Sequence, residues 1–165
     1  MESYRFGTLI ERVSFMNYLG EENYSKLIGV ILSHLGSLQL PIRRSRFVEL
    51  RSGILNVSPI GRDCSSQERL DFEQLDAIKG FRDSLCDKVQ QHFGNLNLCC
   101  TKGGQISVDI YPKGWDKTFC LKHVIQEGCF TEVYFFGDRI VPGGNDYEIG
   151  THPGIYSFKV SNWED

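Results

Sequence analysis

From Glu21 onward the apolar residues Tyr24, Leu27, Ile28, Ile31, Leu32 and Leu35 recur at three- and four-residue steps. That period predicts an amphipathic helix with one stripe packed on a sheet, and Gly36 stands where its C-terminus should fall. The stretch before it, Phe6 to Phe15, reads as a weak strand or turn segment. Alternation then takes over in Arg46 to Arg51, Ser52-Gly53 supplies a tight turn, and Ile54 to Ser58 returns, which predicts a hairpin. Ser65 followed by Glu68 has the form of a capping box opening a second helix. Helical spacing continues through Leu70, Leu75, Ile78, Leu85, Val89 and Phe93, with an interruption near Gly80. Two more short strands follow, Leu96 to Thr101 and Gln105 to Ile110, joined across Lys102-Gly103-Gly104. Residues 1–110 therefore read as an α+β module, an antiparallel sheet with helices on one face.

The pattern changes after Tyr111-Pro112-Lys113-Gly114. A helix through Leu121, Val124 and Ile125 precedes Thr131 to Phe136, a run apolar on consecutive positions and suited to a parallel strand buried on both faces. Gly137-Asp138 ends the run, Pro142-Gly143-Gly144 opens a further short helical piece, and Tyr156 to Val160 reads as a last strand. Residues 111–165 thus form a second region with part of an α/β core.

Composition narrows the classes. With 41% hydrophobic and 24% charged residues the chain is that of a soluble globular protein. A net charge of −3 without a long Lys/Arg tract argues against a nucleic-acid binder, while a local arginine cluster still permits a small anion. No apolar run approaches the ~20 residues needed to cross a bilayer, so no membrane partner is expected. Met1-Glu2-Ser3-Tyr4-Arg5 begins no signal peptide, and a cytoplasmic location is expected. The six cysteines, Cys64, Cys86, Cys99, Cys100, Cys120 and Cys129, are then expected as reduced, buried thiols. Cys120, His123 and Cys129 are the one set worth weighing as zinc ligands, and they lack a Cys-x-x-Cys element and a fourth partner.

Three groups carry candidate chemistry. Asp138 lies just past the carboxyl end of the apolar strand, where α/β folds bind ligands, with Asn145 and Asp146 close behind. Such an oxygen set suits Mg²⁺, although the same spacing fits a residue that caps the next turn. Arg51, Arg62 and Arg69 border the first hairpin and the capped helix, and guanidinium forks match phosphate oxygens; composition alone favours solvated surface charges. Ser107 and Asp109 project from one strand face, an arrangement that suits sugar hydroxyls and equally a solvent-facing sheet.

Long stretches then tie these groups together. They are Phe47 to Arg62, Cys64 to Arg69, Gly103 to Asp109, Gly114-Trp115-Asp116-Lys117, Phe135 to Asp138 and Pro142 to Asp146. In this order they resemble the eukaryotic-type phosphomannomutases, members of the haloacid dehalogenase superfamily with a large inserted cap. The resemblance implies a cap over residues 1–110 and the C-terminal part of the catalytic core over residues 111–165. It implies that Arg51, Arg62 and Arg69 grip a substrate phosphate, with Ser107 and Asp109 lining the site. Lys117 matches the core lysine that offsets phosphoryl charge, and Asp138 the magnesium ligand, with Asn145 and Asp146 beside it. The implied activity is the isomerase reaction between mannose 6-phosphate and mannose 1-phosphate, serving GDP-mannose synthesis, in a homodimer joined through the cap. In that chemistry an aspartate is phosphorylated, a second acts as acid/base, and the cap closes to exclude water.

The sequence departs from the family pattern at its front. The family's two aspartates lie in an Asp-x-Asp-Gly-Thr segment, and these 165 residues contain no Asp-x-Asp. Met1 stands about where the cap begins, and the sequence stops at Trp163-Glu164-Asp165 where family members continue into a closing helix. The chain is therefore expected to be inactive by itself, leaving a phosphosugar-binding or cap-dimerising module as the alternative. Mannose against glucose phosphates is left open. The run Val133 to Phe136 is expected to present unpaired backbone groups and bare apolar faces, and residues 111–165 to fold poorly without a cover. His152 occupies a position that is acidic in the family, which puts a second, structural ion in doubt.

Overall fold

The computed structural model describes residues 2–125 and 130–161, and Met1, Cys129 and the closing Asn162 to Asp165 lie outside them. It is a mixed α/β structure that divides into two compact units, residues 1–113 and residues 114–165.

In the first unit a hairpin, β1 (Glu2–Arg5) and β2 (Thr8–Arg12), leads into α1 (Phe15–Ser37). Ser14 caps its first turn, and Gly20 breaks the helix with φ 72° and ψ 158°, so the regular stripe starts at Glu21 as its period indicates. Leu27, Ile31 and Leu35 are buried, whereas Leu32 is half exposed. Gly36 lies inside the last turn, and the helix runs on to Ser37 and an extended Leu38.

Four antiparallel strands follow in the order β3 (Val48–Leu50), β4 (Leu55–Val57), β6 (Ser107–Pro112) and β5 (Leu98–Gly103). The hairpin closes where expected, with the Arg51 N–H on the Ile54 carbonyl at 2.9 Å. The second pair sits about two residues later than expected, because Gly103 belongs to the ladder opposite Ser107 and Gly104, at φ 54°, makes the turn. A Cβ on Gly103 would come within 2.7 Å of an Asp109 carboxylate oxygen, so that glycine serves close approach across the ladder. One sheet face is covered by α1 and by α3 (Phe81–Phe93): Phe15, Leu27, Ile31, Leu85, Val89 and Phe93 meet Leu55, Val57, Val108 and Ile110 in one core.

Between them, α2 (Ser66–Lys79) starts at a complete Ser65–Glu68 capping box and ends at a left-handed Gly80. Its buried positions correct the expected stripe: Leu70 is half exposed and Ile78 is 81% exposed, while Phe72 and Asp76 are buried. Phe72 stacks on Phe81 at 6.2 Å. Asp76 is buried because Arg82 meets it twice, through Nε at 2.6 Å and the backbone N–H at 2.9 Å. A charge at the packing position hides that face from a search for apolar periodicity.

The second unit holds a 3-10 turn (Lys117–Cys120), α4 (Leu121–Ile125), β7 (Tyr134–Gly137), α5 (Tyr147–Gly150) and β8 (Tyr156–Lys159). As the apolar run suggests, β7 is parallel, pairing Tyr134 with Tyr156 and Phe136 with Phe158. It is not buried on both faces. Tyr134 and Phe136 are 53% and 62% exposed, and their rings stack on Tyr156 and Phe158 at 5.3 Å each. A consecutive apolar run reports the demand for cover, not the element that supplies it. The expected buried thiols also need correction: of the described cysteines Cys64 is buried, Cys86, Cys99 and Cys100 are half-buried, and Cys120 is exposed. Among the described residues no helix is long and apolar enough to cross a membrane.

Gly61 fixes the approach of the segment before β3. Its φ is 84°, and a Cβ there would lie 2.5 Å from the Ser45 carbonyl oxygen. Gly61→Ala is expected to lower the unfolding free energy by at least about 1–2 kcal/mol, the cost of a left-handed non-glycine residue before any clash. Urea denaturation of the two proteins checks this, and an unchanged midpoint would refute it.

Candidate active site

The face of the four-stranded sheet turned away from α1 and α3 carries a polar row. Glu49 on β3 opposes Asn56 on β4, Asn56 opposes Asp109 on β6, and Asp109 opposes Thr101 on β5. Directly opposed residues share a face, and their strand neighbours Leu55, Val57, Val108 and Ile110 turn to the helices. Hydrogen bonds run along the row: the Asn56 amide donates to Asp109 Oδ1 at 2.6 Å and accepts from Arg62 Nη1 at 2.7 Å.

The three arginines are brought together here. Arg51 Nη2 donates to Glu49 Oε2 at 2.9 Å, and Arg62 Nε lies 3.3 Å from the same oxygen. Arg69 Nη2 donates to the Arg62 carbonyl at 2.8 Å. Arg62 is anchored as well, its N–H bonding the Ser45 carbonyl at 2.9 Å across the Gly61 close approach. The Arg51 hydrogen bond, followed by burial that opposes it and by the Arg51, Arg62 and Arg46 charges, leaves the Glu49 carboxyl below its ordinary range. Each guanidinium has five donors, and these bonds use one or two of them, so the cluster retains donors for an anion. Ser107 is buried and its hydroxyl donates to the Gly103 carbonyl at 2.8 Å, leaving it an acceptor towards any ligand.

The second unit gathers another set. Asp116 accepts from the Thr118 N–H at 2.8 Å and from its hydroxyl at 2.6 Å, fixing the turn that presents Lys117. Lys117 forms an ion pair with Asp146, which is 1% exposed and also accepts from the Arg139 N–H at 3.0 Å. The exposed Asp138, at the carboxyl end of β7, reaches the same carboxylate. Burial works to raise the Asp146 carboxyl, but Lys117 and the Arg139 N–H outweigh it and hold it below its ordinary value. Gly137 makes room, since a Cβ there would sit 2.8 Å from Asp146 Oδ2. The buried Asn145 Oδ1 has no hydrogen-bond partner.

Glu49 and Asn56 are the residues that sequence reasoning missed. Both lie in the matched stretch Phe47 to Arg62, and the alternation of β4 puts Asn56 on the polar face, but their pairing to arginines needs the register. No three His, Cys, Asp or Glu side chains cluster to hold a metal among the described residues, and Cys129 of the weighed Cys120–His123–Cys129 set lies outside them.

The family model for eukaryotic phosphomannomutase matches residues 1–165. The chain belongs to this family. It is 47% identical over 161 residues to phosphomannomutase 2 of Dictyostelium discoideum, a match covering 97% of this chain and 64% of that protein. The Saccharomyces cerevisiae phosphomannomutase is 47% identical over 165 residues, all of this chain and 65% of the yeast protein. The Schizosaccharomyces pombe phosphomannomutase is 41% identical, again over all of this chain and 64% of its own length. The chain therefore spans a little under two thirds of the relatives it matches. Among solved structures, an N-terminally truncated, IMP-bound IMP-nucleotidase of Plasmodium falciparum matches with a TM-score of 0.52. That match has 12% identity and covers 91% of this chain and 38% of the other, a likeness of fold alone.

The ion pair between the half-exposed Lys117 and the buried Asp146 makes a pH prediction for this family member. Asp146 has a folded pKa below its ordinary 3.8, so its contribution to stability is complete above 3.8 and is lost as pH falls through the lower folded value. Asp146→Asn should therefore be less stable than the parent at pH 7, and the gap should close on acidification below about pH 3.8. Urea midpoints from pH 7 to pH 2 test it; a gap independent of pH would contradict it.

Proposed function

We propose that these residues are the substrate-holding part of a phosphomannomutase that interconverts mannose 6-phosphate and mannose 1-phosphate. The observation that carries the reading is the linked set on the polar sheet face, Arg51 and Arg62 on one Glu49 oxygen, Arg69 on the Arg62 carbonyl, and Asn56 joining Arg62 to Asp109. An incoming phosphate dianion would draw the guanidinium donors away from Glu49, and Asp109 with Ser107 would meet hydroxyls of the hexose.

The second unit supplies the other half of the chemistry in this reading. In this reading Asp138, Asp146 and Asn145, whose Oδ1 has no hydrogen-bond partner, would hold Mg²⁺, an ion suited to oxygen donors that would neutralise phosphoryl oxygens. Lys117 holds Asp146 in its ionised form and adds a positive charge beside it. In the wider reading residues 1–110 are the cap, residues 111–165 part of a haloacid dehalogenase-like core, and the protein is a cytoplasmic homodimer feeding GDP-mannose synthesis.

A polypeptide of these 165 residues alone is expected to bind without turnover, because the family's Asp-x-Asp nucleophile is not among them. This favours, for such a polypeptide, the second reading of a non-catalytic phosphosugar-binding or cap-dimerising module.

Titration calorimetry with mannose 1-phosphate tests the site. Arg62→Ala should weaken binding about tenfold to a hundredfold, the loss of charge-assisted hydrogen bonds of about 1.5–3 kcal/mol. Mannose itself, without the phosphate, should bind far more weakly. Equal affinity of parent and variant, with circular dichroism unchanged, would remove the phosphate from this face; turnover by the 165-residue polypeptide would overturn the binding-only reading.

A further inference from the structure

Two thiols meet at the seam between α3 and β5, on the face of the sheet opposite the polar row. Cys86 and Cys100 both pack against the main core cluster, and the two thiols lie close enough to perturb one another. The seam is pinned beside them by an ion pair between Asp83 and Lys102 at 2.7 Å. Asp83 lies three residues before Cys86 on one helix face, and Lys102 two residues after Cys100 on one strand face. Two side chains of the helix therefore meet two of the strand in register. Cys99 is excluded from the pair by alternation, since neighbouring positions on a strand point to opposite faces.

We propose that Cys86 and Cys100 are a redox-active dithiol that low-molecular-weight disulfides convert to an intramolecular disulfide across α3 and β5. The Cys86 thiolate attacks one sulfur of the disulfide RSSR, a Cys86–SR mixed disulfide forms, and RS⁻ leaves. Cys100 then loses its proton and attacks the Cys86 sulfur, forming the Cys86–Cys100 bond and expelling the second RS⁻. Two protein thiols are oxidised, one RSSR is reduced, and the two thiol protons end on two RSH. The electrostatics agree with these roles: the neighbouring Cys100 holds Cys86 below the ordinary thiol range, against burial and the Asp83 and Asp87 charges and with help from Lys102. The same contact, together with burial, pushes Cys100 up. Neither residue is fully buried. This inference does not depend on the sugar-phosphate reading.

The test is equilibration of the folded protein in glutathione buffers of rising oxidised fraction, followed by alkylation and peptide mapping. Two of the six thiols should become unreactive together, and a tryptic peptide of residues 83–88 should be found joined to residues 89–102. Because the second peptide holds both Cys99 and Cys100, Cys99→Ser must keep the cross-link and Cys100→Ser must lose it. Cys100→Ser should instead accumulate one glutathione on Cys86, the trapped intermediate. Six reactive thiols under the most oxidising buffer, or a cross-link that survives in Cys100→Ser and disappears in Cys99→Ser, would overturn the proposal.

Discussion

The polar face depends on one amide. Asn56 is 3% exposed and stands between Leu55 and Val57, whose burial in the core fixes the face it shows. With its oxygen turned to Arg62 and its nitrogen to Asp109, it orders a cation and an anion from segments far apart in sequence. A buried amide in a sheet is costly unless both ends are satisfied. Here its satisfaction and the placing of Arg62 are the same two bonds. The hydrophobic pairing that sets the register of β4 therefore also sets where a guanidinium stands.

The second unit solves a related problem with a carboxylate. Asp146 is nearly inaccessible, and an ion so placed persists only with close partners. Lys117 and the Arg139 N–H provide them, and Gly137 provides the space. The glycines at 137 and 103 do the same work in the two units. Each withholds a Cβ where a carboxylate of the neighbouring chain segment approaches, Asp146 in one case and Asp109 in the other.

Much of this was legible from the chain. The stripe of α1 from Glu21, the capping box of α2, the first hairpin and the parallel direction of β7 follow from spacing and turn chemistry. What escaped was set by partners distant in sequence. Asp76 and Phe72 form the buried side of α2 because Arg82 and Phe81 meet them after Gly80, so the apolar stripe through Leu70 and Ile78 pointed to the wrong side. Gly103 reads as a turn residue and is instead a ladder residue, since nothing local announces the Asp109 carboxylate opposite. Glu49 and Asn56 look like ordinary polar strand positions until Arg51, Arg62 and Asp109 are placed beside them.

The alternation of the strands keeps the thiol pair and the polar row on opposite faces of the sheet. On β5, Cys100 turns to the helices and Thr101 to the polar row; on β6, Val108 and Ile110 turn to the helices and Asp109 to the row. A covalent bond between Cys86 and Cys100 would join parts that already touch on the packed side and would add no atom to the side carrying the arginines. Any influence of thiol oxidation on the anion cluster must therefore travel through the backbone of β5 into its ladder with β6, where Thr101 opposes Asp109. Close-packed interiors transmit strain, and that ladder is the path open to it. The same alternation that turns Cys100 to the helices turns Thr101 to Asp109, so the two faces are coupled by one strand and separated by its pleat.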